Sequence, residues 1–143
     1  MELEQAAVSR QQLRAKRWNL LVEAFKALGS EADEQDFISQ GLAGARDTDG
    51  SVYRLRFGPV LVTFTLIYVS DSIGRVVCTT AHPFDADQQV HLFKFALSEG
   101  GATSFKNPQG EFLDLAPNSH IVLAMGMEAA VEYRATAMPA VNA

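Results

Sequence analysis

The stretch Pro83–Gly101, PFDADQQVHLFKFALSEGG, decides the fold, because what it forms determines how the strands around it connect. Asp85 followed three positions later by Gln88 has the pattern of an N-cap and capping box, the period of the stretch is 3.6, and Gly100-Gly101 stands where a helix would stop. The spacing therefore predicts a helix over 85–97. Upstream the period is 2: Tyr53, Leu55 and Phe57 alternate with Val52, Arg54 and Arg56, and Gly58-Pro59 turns the chain. Val60, Val62, Phe64, Leu66 and Tyr68 then make one apolar face of a second strand, and Leu61, Thr63, Thr65, Ile67 and Val69 a second, largely apolar face. A strand apolar on both sides is either covered twice or open to a partner. After SDSIG a third strand runs from Arg75 to Ala81, completing a meander.

Downstream, TSFKNPQGEFLDL reads as a hairpin that carries Phe105 on one arm and Phe112 and Leu113 on the other, with Asn107-Pro108-Gln109-Gly110 between them. Asn118 and Ser119 can cap a last helix with Val122, Met125 and Ala129 on one side. Two strands around Gly126 compete with that reading, because Ile121, Leu123 and Met125, then Val131, Tyr133 and Ala135, also alternate. At the other end, Leu3 to Leu28 lacks Pro and Gly and is rich in helix formers. Leu13, Leu20, Leu21, Ala24, Phe25 and Leu28 give its second half a core-facing side, and Gly29 is placed as its cap. Residues 1–12 read as a frayed or partner-docking helical extension. A short helical turn is expected around Glu34 to Leu42, before GARDTDGS breaks the pattern.

The expected fold is thus one α+β domain over residues 1–143. It has an antiparallel sheet of about five strands with helices packed on it, in the order α-β-β-β-α-β-β-α.

Composition narrows the function. The 143 residues are 48% apolar and 20% charged, an ordinary globular balance, and the net charge of −5 disfavours nucleic acid as a partner. The longest apolar run, VLVTFTLIYV, is too short to span a bilayer as a helix, and the single cysteine excludes an internal disulfide. A soluble, cytoplasmic protein is expected. Cys78, His82, Asp87 and His91 are the side chains that bind zinc or move protons, and they fall close together in sequence. Their spacing matches no established zinc or nucleophile pattern, however. Capping accounts for Asp85 and Gln88, the positive end of a helix for Asp87, and burial for Cys78, so the expectation is a structural role with no catalytic residue, metal or cofactor. Arg10, Arg14 and Arg17 share one helical face beside Lys16 and Trp18; a solvated face, a site for an acidic partner and a site for nucleic acid are the competing readings, in that order.

The order of elements, with DTDGSVYRLRFGPVLVTFTL, FALSEGGATSF and AAVEYRA, resembles the class I type III secretion chaperones, small acidic proteins, over about residues 20 to 137. The segment FKNPQGEFLDLAPNSHIVLA is also similar to tail-associated phage proteins. The chaperone resemblance implies a homodimer through the middle helix and the strand after it, here Val90, Phe93, Leu97 and Phe105. It also implies a non-enzymatic surface made by Trp18, Leu21, Phe25, Leu61, Ile67 and Val69 that holds an extended segment of another polypeptide. A phage- or plasmid-type assembly or inhibitory protein with a folded partner, and a small enzyme using Cys78, His82, Asp87 and His91, remain the alternatives.

Overall fold

The computed structural model describes residues 2–70 and 72–137, and for residues 2–4, 31–34 and 36 the backbone alone. Two helices, α1 (Glu2–Phe25) and α2 (Glu31–Gln40), lead into seven consecutive strands: β1 (Ala43–Arg46), β2 (Val52–Phe57), β3 (Val60–Ser70), β4 (Ile73–His82), β5 (Asp85–Ser98), β6 (Ala102–Lys106) and β7 (Phe112–Asp114). A last helix, α3 (Leu115–Ala137), closes the chain's path. The strands lie in the sheet in chain order, each antiparallel to the next, and the sheet curls as a half-barrel with α3 against its inner face. The α+β class and the single antiparallel sheet are as expected; the strand number and the order of elements are not.

The main correction falls on the opening stretch. Residues 85–98 form β5, the longest strand, where a helix was expected. A β-bulge explains the misreading. Cys78 pairs with Phe93 but Thr79 pairs with His91, so Leu92 is an extra residue, and it places Val90 and Phe93 on one face at odd spacing. Val90, Phe93 and Leu97 thereby imitate the i, i+3, i+7 stripe of a helix. The Asp85 side chain does accept a backbone N–H, from Asp87 at 3.1 Å, but in the turn of a hairpin instead of at a helix start. Gly101, at φ +91°, turns β5 into β6, with its N–H bonded to Ser98 O at 3.0 Å. A second correction is smaller: the segment expected to be a break contains β1, paired with β2 from Ala43↔Arg56 to Arg46↔Tyr53.

The core lies between the inner sheet face and the helices. Val60, Val62, Phe64 and Leu66 of β3 and Val76 and Cys78 of β4 point inward and are buried, as the alternation in β3 predicts. Residues 115–137 are helix, which settles the two competing readings. The helix begins three residues before the expected cap Asn118, whose Nδ2 bonds back to Asp114 O at 2.8 Å. Gly126 is what lets α3 approach so closely, since a Cβ there would meet Phe64 Cζ at 2.7 Å, Val62 Cγ1 at 3.1 Å and Cys78 Sγ at 3.3 Å. Leu21, Val22, Phe25 and Leu28 bring the C-terminal half of α1 onto the same core. That end of the helix is held by Arg46, which donates to Leu28 O and lies 5.3 Å over the Phe25 ring and 5.0 Å over Tyr53.

Candidate binding surface

The residues that suggested chemistry are not brought together. Cys78 is fully buried beneath α3, and burial pushes its thiol up to about 12, so at neutral pH it is not a nucleophile. His82 sits at the β4–β5 turn, where its Nδ1 accepts the Phe84 N–H at 3.1 Å and its ring lies 6.5 Å from Tyr133 of α3. Asp87 is exposed on the same hairpin, and His91 is exposed opposite Thr79, on the sheet face away from Cys78. Among the described residues no group of three or more His, Cys, Asp or Glu is placed to hold a metal ion.

The arginine stripe divides along its length. Arg17 donates to Ser72 Oγ at 2.5 Å and pairs with Glu99 at 3.1 Å, so it ties α1 to the β3–β4 turn and to the end of β5. Arg14 lies 5.7 Å over the Tyr68 ring, while Arg10 donates within its own helix, to Ala6 O. The part of α1 from Gln5 to Lys16 is exposed.

Of the residues expected to bind a partner, Leu21 and Phe25 are spent on the protein's own core, both 0% exposed, and cannot present a surface. Trp18 packs half-buried beside them. Leu61, Ile67 and Val69 lie on the outer sheet face; Leu61 is half-buried, and the other two are 46% exposed. The four residues expected at a dimer interface have no helix on which to form one. Leu97 is fully buried, and the Phe93 and Phe105 rings join Phe95 in an inward aromatic cluster, with Phe95 and Phe105 4.8 Å apart. Val90 is half-buried.

That cluster marks a feature the period analysis missed. β4 pairs with β5 over its whole length, from Ile73↔Ser98 to His82↔Asp85, whereas β6 pairs with β5 at Leu97↔Thr103 alone. Beyond that point even the Ala96 N–H goes to the Ser104 side chain, and β6 leaves with β7 toward α3. From Asp85 to Lys94 the far edge of β5 therefore has no strand paired with it among the described residues, although the Phe105 ring packs against Phe93. The tip of this edge is acidic and exposed, and its middle, Val90, Leu92 and Phe93, is apolar and half-buried. Nearby, a cleft of about 210 Å³ opens between the β6–β7 hairpin and α3, lined by Phe105, Leu113, Ile121, Val122 and Met125 among others. The edge follows from the length of β5 against the shortness of β6, for which the sequence carries no local signal.

Comparisons with family models, curated proteins and solved structures give no match to this chain. No helix among the described residues is long and apolar enough to cross a membrane.

Proposed function

We propose that the protein is a non-enzymatic polypeptide-binding module of the cytoplasm that takes an extended segment of another chain along the open edge of β5. The observation that carries this reading is the unpaired stretch from Asp85 to Lys94. An incoming strand would complete the backbone hydrogen bonds that β6 leaves unmade, and alternate side chains of the guest would reach Val90, Leu92, Phe93 and the neighbouring cleft. Recognition of that kind needs no folded partner and no nucleotide. It is the holding mode that the chaperone resemblance implies, moved from a helix-and-meander surface to a strand edge. A second copy of the chain competes for the same edge, because an antiparallel edge is self-complementary about a two-fold axis.

The test is recovery of a polypeptide with the tagged protein from its native source, followed by hydrogen exchange of the complex. Amides from Asp87 to Lys94 should slow on binding. Val90→Lys with Leu92→Lys, which place charges on the edge, should abolish capture while leaving the circular dichroism spectrum unchanged. Protection confined to any other surface, or capture undiminished in the double variant, overturns the reading. Protection of the same amides in a protein that sediments as a dimer with no guest assigns the edge to self-association.

A further inference from the structure

The outer face of the sheet is chemically unlike the rest of this acidic protein. Down its centre run Leu61, Thr63, Thr65 and Ile67 of β3 beside Val77 and Thr79 of β4, in a shallow groove of about 440 Å³. On and beside that strip stand cations. Arg54 and Arg56 are on β2, opposite Thr63 and Leu61; Arg75 is on β4, opposite Ile67; Lys94 is on β5, opposite Val77. Arg54 is neutralised by Asp47 at 2.5 Å, but Arg56, Arg75 and Lys94 are exposed and have no ion pair among the described residues. A chain of net charge −5 thus carries a sheet face on which Leu, Ile, Val and Thr side chains lie among three cations.

We infer that this face docks an amphipathic helix of a partner protein whose apolar stripe is flanked on both sides by Asp or Glu. The dimensions fit. From β2 to β5 is three strand spacings, roughly 14 Å, so a helix roughly 10–12 Å across lies on the β3–β4 strip with Arg56 of β2 on one flank, Lys94 of β5 on the other and Arg75 of β4 at the end of the strip beside Ile67. From Leu61 to Ile67 the strip runs roughly 20 Å, the length of a helix of about 13 residues. An extended guest gains nothing here, because the backbone groups of β2, β3 and β4 are already taken up in the sheet. Single-stranded nucleic acid is disfavoured because the strip and its cationic rim contain no aromatic ring on which a base could stack. The surface meets the β5 edge only along its outward residues Gln89 and Lys94, and would operate whether or not that edge binds a guest.

The test uses the intact protein and three fluorescein-labelled peptides of about 14 residues, long enough to cover the strip. One has a Leu/Ala stripe flanked by Glu, one replaces every Glu with Lys, and one is the Glu peptide interrupted by two prolines. Fluorescence anisotropy should show binding of the Glu helix alone, weakened by about 0.5 M salt. Affinity should fall about tenfold or more in Arg56→Glu/Arg75→Glu, which leaves β5 untouched, and in Ile67→Asp, with both variants keeping the wild-type circular dichroism spectrum. Equal binding of the Lys helix or of the proline peptide, absence of binding by the Glu helix, or undiminished affinity in the Arg double variant overturns the proposal. Sedimentation as a dimer that Ile67→Asp dissolves would assign the face to a second copy instead, and binding of an oligo(U) probe lost in the Arg double variant would assign it to nucleic acid.

Discussion

A single missing methyl group at Gly126 sets the distance between α3 and the sheet, with Phe64, Val62 and Cys78 against the space it leaves. Gly126→Ala should cost about 1–3 kcal/mol in urea denaturation, as overpacking of a filled core does. Phe64→Ala, which empties the other side of the same contact, should cost about 3–5 kcal/mol. Because the two residues touch, their costs should not add: Gly126→Ala in a Phe64→Leu background should cost less than it does alone, and strict additivity would disprove the contact. Cys78 offers an independent check on the same spot. A thiol held at about 12 should resist alkylating reagents at pH 8 and react only on unfolding. The linkage follows in sign: the folded state keeps a proton that the unfolded chain releases near its ordinary value of 9.0, so this residue's contribution is intact below pH 9 and is lost as pH rises toward 12.

Among the elements, α1 is two helices in function though one in geometry. Its C-terminal half is core, through Leu21, Val22 and Phe25, and Arg17 fastens it to Ser72 and Glu99. Arg17→Ala should cost about 1 kcal/mol, the value of a charged hydrogen bond reduced for partial exposure. Deleting residues 1–12 should shift the thermal midpoint by less than about 2 °C, since the described side chains removed are exposed, while lowering the helical circular dichroism signal. What could be read in advance follows a physical rule here. Strands β2, β3 and β4 were legible because their inward residues alternate without interruption, and the β6–β7 turn because Asn107 and Gly110 permit little else. β5 was not, because one bulged residue at Leu92 converts a period of 2 into the spacing of a helix. The candidate surface was half legible. Two apolar faces on β3 announced an outer surface, and Ile67 and Val69 do lie exposed on it. The open edge, by contrast, depends on where β6 departs from β5, a tertiary fact with no local signature.

For the whole molecule, the inner sheet face, α3 and the second half of α1 share one continuous core, so no element is independently stable. Unfolding should be a single transition, and fluorescence of Trp18, half-buried where α1 meets that core, should coincide with far-ultraviolet circular dichroism. Two separated transitions would show that α1 docks on a sheet already stable without it. The order of the chain adds a consequence for synthesis. Every strand precedes α3, so a nascent chain has its whole sheet before it has the helix that fills it. At a translation rate of about 5–20 residues per second, the ribosome needs roughly 1 to 5 s to add residues 115–137. Throughout that interval Val62, Phe64 and Cys78 lack the helix that covers them in the folded protein, and apolar surface left open in this way is what makes growing chains prone to association.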